Sequence, residues 1–445
     1  MKRQHLVAAL LVLAHLALAA AFSLMTPLGE APDEADHWAY IVYLAEERSL
    51  PVGPRVTQSK HPPLYHVSAA AVASLATPDH RFLRANPDVE LTPRPGWSPN
   101  FFIHTAQETW PWADSGPRAF HLARFWSVLL SALTVAATYG LTLTAFPARS
   151  LLALAATGVL AFVPEFAFIG GSANNDNAAA LFGTLSLWAG LLLWRRGGRL
   201  RSVWWAPLAL GAGLLSKTST VGVWPPVGLA ILLGAAAVNG QPASLGAWWR
   251  AGVSSWRRWL PTGLYVFGGA LALASPWWLR NWRLYGDPLG MALAIQTVDV
   301  RSEPWTWADT TWLLSGWFRS FWGKFGGAGH IPLPEPVYGL LLGVTLVSAM
   351  GLVGNLWSGR RRYALLPLLL LALAAGGVAL VMARYSLIAL GTDQGRLLYP
   401  AVAPLVILWT GGLLWWAPPR FERSAALLLV GAMAALGIYG LLGVV

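Results

Sequence analysis

Apolar runs near 20 residues long, enough for a helix to cross a hydrocarbon core of about 30 Å, recur along the chain and alternate with polar segments. The pattern predicts eleven spans, over 6–25, 120–146, 151–169, 176–194, 203–216, 219–238, 261–279, 336–357, 363–382, 397–416 and 424–444. The run 203–216 is short and ends at "SKTST"; as a re-entrant segment it would reverse the side of all that follows. Two polar segments are long, 26–119 and 280–335. In the first, "DEADHWAYIVYLAEE" sets Trp38, Ile41 and Ala45 at helical spacing and "PPLYHVSAAAVASLA" reads as a second short helix. Both are too short to span and are expected in the interface plane. The second segment carries Trp305, Trp307, Trp312, Trp317 and Trp322. Tryptophan concentrates at the headgroup level, so interfacial anchoring is one reading; a platform for sugar or isoprenoid is the other.

Composition supports a membrane protein. Of 445 residues 56% are hydrophobic and 11% charged, too few charges to cover a soluble globule of this size. With Met1 in the cytoplasm, the inner loops hold Lys2, Arg3, Arg149, Arg195, Arg196, Arg199, Arg201, Arg250, Arg257, Arg258, Arg360, Arg361, Arg362, Arg420 and Arg423, against Glu422 as the single acid. That asymmetry fits the positive-inside rule. The net charge of +11 is therefore a topology signal, and dispersed bases argue against nucleic acid as a partner. The first apolar run exceeds the usual core of a signal peptide and is expected to remain as a span. The chain has no cysteine, so no disulfide holds the outer loops. It lacks a GxxxxGK[ST] loop, which argues against nucleotide hydrolysis. His15, in mid-span, reads as a satisfied interior histidine.

Candidate chemistry gathers on the predicted outer side. "APDEADHWAY" places Asp33, Glu34, Asp36 and His37 where the first span ends. Acids in a first helical turn favour the helix dipole, yet clustered ionisable groups at a membrane boundary also point to function. "SKHPPLYH" adds His61, Tyr65 and His66; "GGSANNDN" adds Asn174, Asn175 and Asp176; Lys217, Arg280 and Arg396 bring positive charge. Asn and Asp at a helix start also serve as caps, and Lys and Arg also snorkel. Taken together they suggest a site for an anionic head group that uses a carboxylate.

At these residues the sequence resembles the GT-C superfamily of integral-membrane glycosyltransferases, in its protein O-mannosyltransferase-like and bacterial lipid-linked-sugar branch. The resemblance rests on "PDEADHWAY", "HPPLY", "HLARFWSVLLSALTVAATY", "SANNDNAAALFGTLSLW", "GLLSKTS", "WWLRNWRLYGDP" and "QGRLLYPA", in order along most of the chain. It implies an all-α bundle of about eleven transmembrane helices that moves a sugar, hexosyl or pentosyl with inversion, from a polyprenyl-phosphate carrier. The acceptor would be a glycan, lipid or protein at the outer face of the cytoplasmic membrane. It also implies Asp33 as catalytic base, Glu34 as its partner in catalysis, and Arg124 reaching the phosphate or the acidic pair. His37, His61, Tyr65, Asn174, Asn175, Asp176, Lys217, Arg280 and Arg396 are substrate-binding candidates.

No cofactor is required by these residues; a divalent metal, Mg or Mn, is an alternative source of positive charge, with Asp33, Glu34, Asp36 and His37 as ligands. The acids are expected toward the water, where an acceptor enters, and Arg396 with Lys217 or Arg280 toward the carrier groove. Residues 1–285 are expected to form the catalytic module and 286–445 a variable C-terminal part with the Trp-rich loop. The competing class is a transporter or flippase of an anionic lipid-linked substrate, which favours inverted repeats and mid-membrane charge.

Overall fold

The computed structural model describes residues 2–92, 94–198, 203–238, 240, 244–357 and 362–444. Arg199, Arg201, Arg360 and Arg361 lie outside the described residues. The protein is 71% helical and multi-pass in the membrane. Helix α1 (Lys2–Met25) leads into the first outer loop, where α2 (Glu34–Glu47) and α3 (Leu64–Ala73) form as the sequence predicts. Their buried residues Trp38, Ile41, Val42, Tyr65 and Ala69 pack with Ala119, Phe120 and Ala123 of α4 (Ser115–Ala145), so this loop has a core of its own. Strands β1 (Arg84–Ala85) and β2 (Phe102–Ile103) pair antiparallel, with Arg84 opposite Ile103.

The remaining chain is a bundle in which several helices are broken. Helices α5 (Ser150–Ala161) and α6 (Pro164–Gly170) meet at a bend of 63°. Pro164 explains it: proline lacks the N–H that would continue the ladder but suits the start of a new helix. After α7 (Asp176–Arg195), α8 (Ala206–Ser216) has only 11 residues, about 16 Å. Lys217 is extended (φ −159°, ψ 128°), and a 3₁₀ turn, Thr218–Val223, leads to α9 (Trp224–Ala236). Helices α10 (Leu245–Ser254) and α11 (Trp256–Gly263) form a corner. A π-helical turn, Leu264–Gly268, joins α11 to α12 (Gly269–Tyr285), which contains Pro276.

Short α13 (Met291–Ala294) precedes α14 (Trp307–Trp322), the hairpin β3 (Lys324–Phe325) with β4 (Ile331–Pro332), and α15 (Glu335–Trp357). Then come α16 (Leu365–Ser386), a 3₁₀ turn over Gly395–Ala401, α17 (Val402–Trp416) and α18 (Glu422–Val444).

Among the described residues eight helices are long and apolar enough to cross a membrane, nine if α5 and α6 make one span. The expected eleven is not reached by this measure, because 203–216 is realised as short α8 and 261–279 falls within the interrupted α11–α12 stretch. The Trp-rich loop also divides. Trp307 and Trp312 are exposed, as anchors should be, while Trp317 and Trp322 are buried, and Trp317 Nε1 donates to Thr392 O at 2.8 Å. His15 is fully buried and satisfied, with Ala161 O at 2.9 Å and Ser131 Oγ at 3.0 Å.

One core runs through both halves, joining Phe166, Leu187, Tyr399 and Val402. At Gly183 of α7 a Cβ would collide with the Pro400 carbonyl, so only glycine lets the 395–401 turn lie against α7. That approach brings Arg396 to the start of α7.

Candidate active site

Asp33 and Glu34 are sequence neighbours with different surroundings. Glu34 is fully buried; Arg124 Nε and Nη2 donate to its oxygens at 2.8 and 2.7 Å, joined by Gly29 N at 3.1 Å and Ala173 N at 2.7 Å. The other Arg124 N–H groups donate to the carbonyls of Ser23 and Thr26, both at 2.7 Å, and Pro27 at 2.9 Å. All five guanidinium donors are thus used. A cation over helix-terminal carbonyls is favourable, and this pair joins the end of α1 to α2, α4 and the bend before α7.

Asp33 caps α2 by position only. Its side chain makes no cap hydrogen bond, and its backbone is left-handed at φ 60° and ψ 4°. A non-glycine residue held there is uncommon, and such residues collect at functional sites. Its side chain is 46% exposed and its carboxylate forms an ion pair with Arg396. Burial alone would raise this carboxyl, but the Arg396 guanidinium and more distant Lys217 hold it well below the usual carboxylate range.

The pair is one end of a longer chain of charges. Buried Arg396 also donates Nη1 to Asp176 Oδ2 at 2.7 Å and Nε to Gln394 Oε1 at 2.7 Å, and the other Asp176 oxygen accepts from Lys217 Nζ. Asp33, Arg396, Asp176 and Lys217 therefore alternate in sign. Each sits where a helix starts or breaks: the cap of α2, the 395–401 turn, the start of α7 and the α8–α9 break. The expected separation of acids from bases is not found, because Arg396 bridges both acids.

The other predicted residues surround this chain. Asn174 Nδ2 donates to Pro32 O at 3.0 Å, and its Oδ1 accepts from Asp176 N at 2.9 Å, tying the residue before Asp33 to α7. Asn175 Nδ2 donates to Ser216 O at 3.2 Å, while its buried Oδ1 has no partner among the described residues. His37 and His66 share a hydrogen bond at 2.8 Å, the His61 ring lies 6.1 Å from that of His37, and Tyr65 OH pairs with Ser127 Oγ at 2.8 Å. Burial pushes His37 down to about 3 and holds His61 and His66 well below the usual histidine value, so these rings are neutral.

Arg280 is elsewhere. It donates to Pro51 O at 2.6 Å and lies over Trp277, holding the first outer loop to α12. Lys60, not singled out from sequence, feels both Asp33 and Asp36 while burial lowers its pKa. Its signal was present in "SKHPPLYH", directly before His61.

Among the described residues no three His, Asp or Glu side chains converge as metal ligands. One oxygen of Asp33 and both oxygens of Asp176 are paired with Arg396 or Lys217, cations that would repel a divalent ion. A divalent ion, Mg or Mn, bound by Asp33 would have to displace Arg396 from that carboxylate.

A second polar cluster secures the loop above the site. Glu30 accepts from Phe101 N at 2.9 Å, Phe102 N at 2.8 Å and His104 Nε2 at 3.0 Å, and His104 Nδ1 meets Glu108 Oε2 at 2.7 Å. Burial opposes a charge on His104, but the two carboxylates outweigh it and raise it to about 9. A raised histidine pKa contributes stability that is complete below its unfolded value and is lost as pH rises through the folded one. Amide exchange at Phe101 and Phe102 should therefore be slow near pH 6 and, corrected for intrinsic rate, faster above about 9; a pH-independent corrected rate would contradict this latch.

No protein-family model and no curated protein matches this sequence. Solved structures do. The Archaeoglobus fulgidus oligosaccharyltransferase in its apo form aligns with a TM-score of 0.51 at 13% identity, covering 98% of this chain and 56% of that one. The same enzyme in complex with Zn and sulfate gives 0.50 at 14% identity, covering 97% and 53%. ArnT from Cupriavidus metallidurans bound to undecaprenyl phosphate gives 0.50 at 15% identity, covering 97% and 64%. The chain spans about half the length of the oligosaccharyltransferase. These proteins are GT-C glycosyltransferases, and this chain has the GT-C fold.

Proposed function

We propose that the protein is a glycosyltransferase that moves one sugar from a polyprenyl-phosphate carrier to a hydroxyl-bearing acceptor at the outer face of the cytoplasmic membrane. The observation that carries this reading is the chain of alternating charges ending in half-exposed Asp33, built from four separate segments where helices start or break. The ArnT structure with undecaprenyl phosphate supports a lipid-phosphate donor, and the one-sided distribution of basic loop residues supports an outward site.

In the proposed reaction the acceptor oxygen attacks the anomeric carbon and its proton passes to Asp33. The bond from that carbon to the carrier phosphate breaks, and its electron pair leaves with the phosphate. Attack opposite the leaving phosphate inverts the anomeric centre. Arg396 is suited to a phosphate because its planar fork binds two oxygens at once; Lys217 and Lys60 add charge nearby. The resting ion pair gives this an order. Asp33 is a weak base while Arg396 holds it, and a carrier phosphate that draws Arg396 away raises its proton affinity. The Arg124–Glu34 pair positions the loop that carries Asp33 without touching the reacting atoms.

The test is purified protein in vesicles with a sugar-labelled polyprenyl-phosphate donor and extracted envelope acceptors. Transfer predicts free polyprenyl phosphate in equal amount to label gained by the acceptor. Intact donor moved to the opposite leaflet, with no carrier released, would fit a transporter and overturn the proposal.

A further inference from the structure

At the other end of the bundle lies a feature the transfer reaction does not use. Helix α7 runs 20 residues from Asp176 to Arg195, about 30 Å, close to the thickness of a hydrocarbon core. Its far end adjoins the α10–α11 corner: Thr262 Oγ1 of α11 donates to Gly198 O at 3.1 Å, just beyond Arg195. The corner is closed on itself by Trp259 Nε1 donating to Gly252 O at 2.9 Å. It therefore lies about one hydrocarbon thickness from the Asp176 end of α7.

Its outer surface is both apolar and cationic. Trp249 is 75% exposed, Val253 57% and Trp256 49%, and no described segment covers them. Arg250, Arg257 and Arg258 are exposed beside them. None of the three forms an ion pair among the described residues, and no Asp or Glu occurs in the sequence between Asp176 and Asp287. Arg257 lies over the Trp256 ring at 5.6 Å. Exposed indole together with unpaired guanidinium is the chemistry of an amphipathic helix seated at a headgroup layer, where anionic lipid attracts Arg.

We infer that the α10–α11 corner is a binding surface for anionic phospholipid in the leaflet opposite the active site. Trp249, Val253 and Trp256 enter the acyl boundary, and the three arginines gather phosphate-bearing headgroups of net negative charge. A zwitterionic lipid offers the same apolar boundary but no net charge, so the arginines set the preference.

The chain has no cysteine, so Ser254→Cys gives one exposed labelling point on the corner. A fluorophore there, on full-length protein in nanodiscs, is quenched in turn by spin-labelled phosphatidylglycerol and spin-labelled phosphatidylcholine at equal fraction. The anionic lipid is expected to be enriched by about fivefold or more, with the preference shrinking as salt screens it. Arg250→Gln, Arg257→Gln and Arg258→Gln together should bring the two lipids to equal quenching. Equal quenching in the parent protein overturns the inference without any folding question. So would a preference that inorganic phosphate abolishes beyond the effect of matched salt, which would assign the surface to soluble anions, or one that survives removal of the arginines.

Discussion

Replacing Asp33 with Asn is expected to lower turnover by about 10²-fold or more, the usual loss when a general base is removed, while the protein remains folded. Three observations make the two effects separable. The side chain is 46% exposed, so the substitution leaves no buried charge unpaired at Asp33 itself. Asn tolerates the left-handed backbone at φ 60° about as well as Asp does. Arg396 keeps Asp176 as a counterion. What Asn cannot do is accept the acceptor's proton. Turnover of the Asp33→Asn protein is measured with labelled donor, and its thermal unfolding is followed alongside. Unchanged turnover would remove Asp33 from the reaction and leave its strained backbone without a functional account.

The neighbouring clamp should respond in the opposite way. Arg124→Met leaves Glu34 fully buried without its counterion and takes donors from the carbonyls of Ser23, Thr26 and Pro27. Removing one partner of a buried pair costs about 3–5 kcal/mol. Most of that is the stranded charge, so adding Glu34→Gln should recover part of it. Thermal unfolding in detergent checks the loss, and turnover per folded molecule of the double variant checks the role. A midpoint unchanged by Arg124→Met would contradict the structural role of the pair, and a double variant that folds like the parent yet transfers no sugar would mean that the pair acts in the chemistry.

This contrast shows what was legible in the sequence. The run of apolar segments specified the bundle, and the spacing of Trp38 and Ile41 specified α2, because these patterns follow directly from burial. The motif "PDEADHWAY" singled out Asp33 as a base and Glu34 as its partner in catalysis, but the different surroundings of the two acids could not be read from it. Glu34 opens α2 and turns into the bundle, whereas Asp33 stands before it in a left-handed backbone that leaves its side chain half exposed. Arg124 was expected to reach either the phosphate or the acidic pair, and it reaches Glu34.

Pairing of Arg396 with Asp176, 220 residues apart, was not legible, since charge alone does not say which base meets which acid. The tight approach at Gly183 that makes it possible depends on backbone contact with Pro400, a part of the chain whose position no local pattern gives. Breaks in helices were under-read for a related reason. Pro164 gave a signal for the α5–α6 bend, but hydropathy averages over such points. The turns at Lys217 and 395–401, which deliver the site's charges, look in sequence like ordinary ends of apolar runs.

The central claim is that Asp33, Asp176, Lys217 and Arg396 form one site for a lipid-linked phosphate. An experimental structure with polyprenyl monophosphate bound, the leaving group of the proposed reaction, tests it most directly. The account predicts the phosphate within about 3 Å of Arg396 Nη atoms, with Lys217 or Lys60 beside it and the Asp33 carboxylate released toward the opening. A phosphate bound elsewhere on the bundle, with the Asp33–Arg396 pair intact, would contradict it.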